Sequence, residues 1–222
     1  LFVGLLDRYL DPRGLHLVMQ GWLQRVDSGK NRYFNDLAHQ ITGSHESRFR
    51  IIYGDMLAAG GMTIDEPWSG NTTPSEDDLK NQVGADSYVF PNNMDESTQD
   101  KDIPAVKIYL PQIVRIPGWE ETMFKAKRIA ITAHEIGHVE LPFDEETIKL
   151  LGGRYMAIKE LLAELFAVKE IEKLPKSSIG GNFTKLLIYA RSLAVWRYYI
   201  DQYDQEVNPV KKAIQLHYAR AG

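Results

Sequence analysis

Cysteine is absent from the 222 residues of this chain. That absence excludes disulfide bonds, zinc sites built from thiolates and cysteine nucleophiles, and it leaves the redox compartment undetermined. Long apolar runs are absent too, because no stretch approaches the roughly 18–20 residues of a transmembrane helix. The apolar residues 1–6 lack a basic lead-in and soon meet Asp7 and Arg8, which is unlike a signal peptide. We therefore expect a soluble protein with no membrane partner, and the cytoplasm is the favoured compartment.

A concentrated basic surface is also missing. Lys and Arg number 26 against 30 Asp and Glu, the formal net charge is −4, and no block of basic residues stands out. Because phosphate binding needs such a surface, nucleic acid is not an expected partner. The length fits a single domain over residues 1–222 with ample room for a core. The chain starts at Leu1 rather than Met, so we also expect a processed product or a fragment of a longer protein.

The first half of the chain shows mixed patterns. Residues 1–60 are predicted as an N-terminal helical segment with one strand candidate at 48–53. Residues 61–118 are predicted to be loop-rich, because glycines, prolines and a polar run at 95–102 interrupt the apolar pattern. Short strands are expected within this part at 87–90 and 106–110. The residues that recur at helix spacing in the first segment are Leu15, Val18, Met19, Trp22 and Leu23.

Residues 119–222 are predicted to be a helical core. One helix is expected from Glu121 to about Val139, and a long one follows from about 146 to 173, with a possible interruption at the two glycines 152–153. Further helices are expected from Phe183 to Tyr203 and after Pro209. The predicted fold class is therefore mainly α with a few short strands (α+β).

The strongest chemical signal in this core is an HExxH sequence made by His134, Glu135 and His138. Two histidines four residues apart lie on one face of a helix, so both imidazoles can reach a single metal ion. Glu135 stands where its carboxylate can take a proton from a water on that metal. The apolar residues around the motif indicate a buried helix, in which histidines need partners. The motif predicts a zinc site. Two alternatives remain: the two histidines occur on this helix by chance, or the site binds another divalent ion.

A catalytic zinc ion needs a third protein ligand and one open position. Glu160 and Glu164 lie one turn apart on a largely apolar helical stretch, where two carboxylates are costly unless something positive meets them. Zinc would satisfy Glu160, and the N–H of a ligand histidine would satisfy Glu164. The other candidate is Asp144, which follows His138 at the spacing of the third metzincin ligand, but Leu141 replaces the turn glycine of that pattern. Asp144 is equally consistent with the start of a helix.

These motifs resemble those of known zinc peptidases. HExxH followed by ExxAE on the next long helix is similar to the gluzincins, and residues 71–222 resemble the dipeptidyl peptidase III family. The resemblance is carried by Asn71–Lys80, Gly84 and Ser87–Asn92, which look like a loop of that family, and by Lys159–Glu164, which looks like its second motif. Much of that family has a hexapeptide, HExxxH, where this chain has the pentapeptide. Residues 160–167 are also similar to compact metallopeptidases that act on phage-type repressors.

The resemblance implies a zincin-like domain with HExxH on its active-site helix and Zn2+ as cofactor. It implies that Glu160 is a zinc ligand, that Glu164 partners a ligand histidine, and that His217 stabilises the oxyanion. The expected activity is that of a hydrolase, a zinc metallopeptidase acting on peptides or proteins. Release of N-terminal dipeptides is the finer expectation that the resemblance to dipeptidyl peptidase III implies. Oxyanion stabilisation by a tyrosine is the alternative to His217, and the candidates are Tyr189, Tyr198, Tyr199 and Tyr203.

Three other functions stay open at this point. The chain could be a regulatory or binding module with a structural or vestigial zinc site, supported by a fourth protein ligand on the metal. It could be a compact metallopeptidase dedicated to one protein partner. It could also be an inactive fragment of a larger peptidase. An intact Glu135 favours an enzyme, because a purely structural site has no need of that carboxylate.

Overall fold

A computed structural model describes residues 7–10, 17–19, 22–25, 36–41, 49–58, 69–73, 85–141, 143–174 and 181–207. Its strands lie in the first half of the chain. Strand β1 (Asp7–Leu10) forms an antiparallel pair with β2 (Leu17–Met19). A separate four-stranded sheet has the order β3-β4-β6-β5. Its strands are β3 (Trp22–Arg25), β4 (Phe49–Ala58), β5 (Gly70–Thr73) and β6 (Ala85–Val89).

The register of this sheet determines which residues of β5 and β6 face the helices. β4 and β6 are parallel, whereas β5 runs antiparallel to β6 with Thr72 opposite Ser87. Among the described strands, β5 pairs with β6 alone and so forms an edge of the sheet. Thr72 and Ser87 therefore share one face of the sheet, and both are buried on the side where the sheet packs against the helix Trp119–Glu140.

Helices make up most of the described second half of the chain, as the sequence predicts. No described helix combines the length and the apolar character needed to cross a membrane. A π-helical segment (Thr98–Asp102) joins α2 to α3, and a 3₁₀ turn (Gly152–Arg154) joins α6 to α7. The helices are α1 (36–41), α2 (Pro91–Ser97), α3 (Ile103–Tyr109), α4 (Pro111–Val114), α5 (Trp119–Glu140), α6 (Glu145–Leu151), α7 (Tyr155–Lys173) and α8 (Gly181–Gln205).

Helix α5 is the centre of the structure. It begins after Gly118, which has a left-handed φ of 74°. Glu120 and Glu121 lie in its first turn, where their negative charges interact favourably with the positive end of the helix dipole. It ends at the residue before Leu141, which precedes Pro142, where a helix is disfavoured. It packs against both α7 and α8. The buried apolar side chains that it contributes to the core include Met123, Ala126, Ile129, Ala133 and Ile136.

Three of the sequence-based expectations in the first half are wrong. The helix expected around residues 15–23 is replaced by β2 and β3, which pair with neighbouring strands; Gly21, between them in sequence, is a poor residue for a helix interior. The strand expected at 106–110 is instead α3, in which Ile103 and Val106 are buried one turn apart and a proline occupies the first turn. The polar run at 95–102, expected as a loop, is helical. The strands expected near 48–53 and 87–90 are confirmed as β4 and β6.

A buried charge cluster ties α8 to α5 and to the π-helical segment. Arg191 Nε donates to Asp102 Oδ2 at 2.6 Å, and Lys127 Nζ lies 3.3 Å from the same oxygen. The side chain of Asp102 is 1% exposed, so both cations are needed to keep its charge in the interior. Burial opposes ionisation of Asp102, but Arg191 and Lys127 outweigh it and lower the pKa of the carboxyl. The charge of Arg191 also interacts with that of Glu164 on α7, a helix that packs against α5.

Candidate metal centre

The two histidines of the HExxH motif converge on one carboxylate. His134 and His138 lie one turn apart on α5, with their Nε2 atoms 3.0 Å apart. Glu160, on α7, places Oε2 3.2 Å from His134 Nε2 and 3.5 Å from His138 Nε2. Within the part of the chain that the structure describes, these are the three side chains whose donor atoms gather closely enough for one metal ion. Two imidazole nitrogens and one carboxylate oxygen match the His₂Glu ligand set of catalytic zinc sites.

This convergence depends on an unusually close contact between α5 and α7. A Cβ built on Gly137 would lie 2.9 Å from both the Cα and the backbone oxygen of Ala163. Only glycine therefore allows the two backbones to approach this closely. Gly137 lies between His134 and His138 in sequence, and Ala163 lies one turn after Glu160, so the contact sets the distance across which these side chains meet. Gly137 was not predicted as a functional residue from the sequence, although both motifs carry a small residue at the position of this contact.

Glu164 is the second carboxylate of α7 that faces α5. Its Oε1 lies 3.2 Å from His134 Nδ1, on the side of the ring opposite Nε2. A carboxylate there favours the tautomer that carries the proton on Nδ1 and leaves Nε2 to bind a metal. The structure thus brings together His134, His138, Glu160 and Glu164 in the arrangement that the spacing of the two motifs predicts.

The charges of this cluster are strongly coupled. Burial disfavours a charged His134, but Glu160 and Glu164 outweigh burial and raise the pKa of His134 well above its usual value. Burial likewise opposes ionisation of both carboxyls, yet the histidines lower the pKa of Glu160 and His134 lowers that of Glu164. Without a metal, a proton on His134 compensates the two carboxylates. A divalent cation would supply the same compensation with more charge.

Glu135 faces the sheet rather than α7. It is 6% exposed, and its Oε2 lies 2.8 Å from the hydroxyl oxygen of Thr72 on β5. The hydroxyl of Ser87 lies 2.9 Å from that of Thr72, so the two strands present a short chain of hydroxyls to the carboxylate. Gly70 leaves room for it, because a Cβ there would stand 2.7 Å from Glu135 Oε1. None of these three strand residues was assigned a role from the sequence.

The remaining predicted site residues have other positions. Asp144 is exposed and caps α6, accepting a hydrogen bond from the backbone N–H of Thr147 at 2.7 Å, which confirms the helix-start interpretation. Tyr189 donates a short hydrogen bond to Glu172, twelve residues beyond Glu160 on α7. His217 lies outside the described residues. The other tyrosines proposed for the oxyanion, Tyr198, Tyr199 and Tyr203, all lie on α8.

Comparison with protein-family models, with curated proteins and with solved structures finds no match to this chain.

Proposed function

We propose that this chain is a zinc-dependent peptidase of the gluzincin type. The observation that carries the proposal is the convergence of His134, His138 and Glu160 from two helices, with Glu135 beside them on α5. A structural zinc site needs four protein ligands, whereas a catalytic one uses three and keeps a position for water or substrate. Three donors with an adjacent glutamate therefore favour catalysis.

The residues of the chain divide the chemistry among them. Bound zinc supplies Lewis acidity, which polarises a peptide carbonyl and acidifies a water molecule. His134, His138 and Glu160 hold the ion, and Glu164 orients the ring of His134. Glu135 takes the proton of the attacking water and returns it to the leaving amine. In the proposal, the oxyanion is stabilised by His217 or by one of Tyr198, Tyr199 and Tyr203 on α8, because the hydroxyl of Tyr189 is bonded to Glu172.

The edge strand β5 supports a peptide as the substrate. It lies directly against Glu135, and among the described strands it has a partner on one side only. An extended peptide could add to its outer edge through main-chain hydrogen bonds and so pass beside the catalytic carboxylate. Release of N-terminal dipeptides is the finer proposal and rests on the resemblance to dipeptidyl peptidase III. Comparing cleavage of a peptide with its N-acetylated form tests it, since an enzyme that binds the free amine loses the acetylated substrate.

The decisive experiment is zinc analysis combined with peptide hydrolysis in four proteins. We expect about one zinc ion per chain in the wild type, loss of zinc and activity in Glu160→Ala, and retention of both in the matched carboxylate control Asp144→Ala. Glu135→Gln should keep zinc and lose turnover by about 10²–10⁴-fold, the usual contribution of a general base. Zinc retained in Glu160→Ala, or lost in Asp144→Ala, would overturn the ligand assignment.

A protein-binding module with a structural zinc site is the second candidate function. It is favoured by an apolar stripe on α7, where Leu161 and Leu165, one turn apart, have exposed fractions of 51% and 54%. Contiguous exposed apolar patches mark surfaces that bind another protein or a ligand. Zinc binding by the wild type without any peptide hydrolysis would select this candidate.

A further inference from the structure

The hydroxyl of Thr72 has a defined role in its contact with Glu135. An ionised carboxylate only accepts hydrogen bonds, so at 2.8 Å from Glu135 Oε2 the Thr72 hydroxyl is the donor. The backbone oxygen of Glu135, 3.3 Å from the same hydroxyl, is a second and more distant acceptor on the same residue. The single proton of Thr72 is thus committed to Glu135, and the Ser87 hydroxyl, 2.9 Å away, must be the one that donates to Thr72. The hydrogen bonds run in one direction, from Ser87 through Thr72 to Glu135. All three side chains are buried, where such a chain is stronger than in water.

Gly70 completes a cradle for the same carboxylate. Gly70 and Thr72 lie two residues apart on β5 and so face the same side of the sheet. A Cβ on Gly70 would stand 2.7 Å from Glu135 Oε1 and 2.8 Å from its Cγ, so the glutamate side chain occupies the space that any other residue would fill. A glycine in a strand marks such a close approach. One carboxylate oxygen thus faces the strand backbone and the other is held by a hydroxyl.

We propose that Thr72 is a positioning residue for the general base, fixing the carboxylate of Glu135 through Oε2 in the orientation from which it takes the proton of the attacking water. The inference rests on the proposed function, because it gives Thr72 a catalytic purpose only if Glu135 is a base. It explains why the base is fixed by an edge strand: the strand on which a peptide would lie is the strand that orients the carboxylate. A base displaced by about 1 Å loses on the order of a hundredfold in rate.

The test compares zinc-loaded wild type, Thr72→Val and Thr72→Ser on one fluorescence-quenched peptide, chosen as the fastest-cleaved member of a mixed pool. Valine has the shape of threonine without the hydroxyl, whereas serine keeps the hydroxyl. We expect Thr72→Val to lower kcat by about 10–100-fold with KM changed less than twofold, and Thr72→Ser to restore kcat to within about threefold. Zinc content should stay at one per chain in all three, which separates positioning from loss of the metal site.

Ser87→Ala provides a second variant in case Thr72→Val fails to fold. It leaves Thr72 in place and removes only the donor behind it, so we expect a smaller fall in kcat, of about 3–10-fold. If the wild type is active and Thr72→Val has an unchanged kcat, the role of Thr72 is refuted while the proposed function stands. If Thr72→Val does not fold, an unchanged kcat in Ser87→Ala refutes that role in the same way. A Thr72→Val defect that serine does not rescue would also overturn it. A zinc-loaded wild type without turnover would overturn the proposed function and, with it, the role of Thr72.

Discussion

Replacing Gly137 by alanine tests whether helix contact sets the metal site. The new Cβ would stand 2.9 Å from two backbone atoms of Ala163, whereas carbon atoms pack comfortably at about 3.5–4.0 Å. Backbone atoms cannot rotate away, so α5 and α7 must separate by roughly 0.5–1 Å. Overpacking of this kind costs about 1–3 kcal/mol, and the better helix propensity of alanine returns about 1 kcal/mol. With two close contacts at once, we expect a net loss of about 1–2 kcal/mol in unfolding free energy.

The same separation should weaken zinc binding. Glu160 lies one turn before Ala163 and moves with it, whereas a zinc–oxygen bond tolerates about 0.2 Å of error. We expect zinc affinity to fall by at least about tenfold. Urea unfolding of the metal-free protein and zinc titration against a competing chelator measure the two effects separately.

A double variant provides the control for this interpretation. Because the clash is with the Cα and the oxygen of Ala163 and not with its methyl group, adding Ala163→Gly should fail to restore either stability or zinc affinity. If Gly137→Ala were instead about 1 kcal/mol more stable than wild type with unchanged zinc affinity, only helix propensity would be acting. The proposed control of ligand distance by this contact would then be refuted.

Three further predictions concern charged side chains. Glu164→Ala should lower zinc affinity by about 10–100-fold while leaving one zinc site per chain, as measured by chelator competition; unchanged affinity would contradict the orienting role. Because Glu160 and Glu164 raise the pKa of His134, zinc must displace a proton from this histidine when it binds. The apparent zinc affinity should therefore rise about tenfold per pH unit below that pKa. A zinc affinity that does not change between pH 6 and 8 would contradict this prediction. Burial and the charge of Arg191 lower the pKa of Lys127 from 10.5 to about 8. Between pH 8 and pH 10.5 the unfolded chain therefore binds a proton that the folded chain does not. The unfolding free energy consequently increases as the pH rises through this range. The unfolding free energy of wild type minus that of Lys127→Met should therefore rise by about 3 kcal/mol from pH 8 to 10.5, measured in urea, and a constant difference would refute it.

The helical part of the fold was predictable because its signals are local. The apolar period of α5, the break at Pro142 and the acidic start of α6 can all be read within a few residues, and the predicted ends lie within a few residues of the observed ones. The convergence of His134, His138 and Glu160 was predictable for the same reason, since each motif places two side chains on one helix face. Pairing Glu160 with the histidines needed only the assumption that two apolar helix faces meet.

The strand side of the site was not predictable from this sequence. Thr72 and Glu135 are 63 residues apart, and no local pattern indicates that β5 packs against α5. Apolar and polar side chains alternate over residues 106–110, as in a strand. The segment is nevertheless helical, because a helix buries Val106 and Ile103 together on one face against the core. Gly70 and Gly137 matter through what a Cβ would meet, which depends on tertiary contacts alone.

The direct contact between α5 and α7 has a consequence for how this protein can vary. The contact between the two helices determines the distance between the histidines and Glu160. The segment that connects the helices therefore does not determine this distance. That segment includes α6, which contributes no buried residue, and Leu150 within it is 86% exposed. We expect insertions, deletions or a grafted recognition loop between Leu141 and Arg154 to leave the site intact. Evolution, or an engineer, could thus change the surroundings of the proposed metal site without rebuilding the residues that form it.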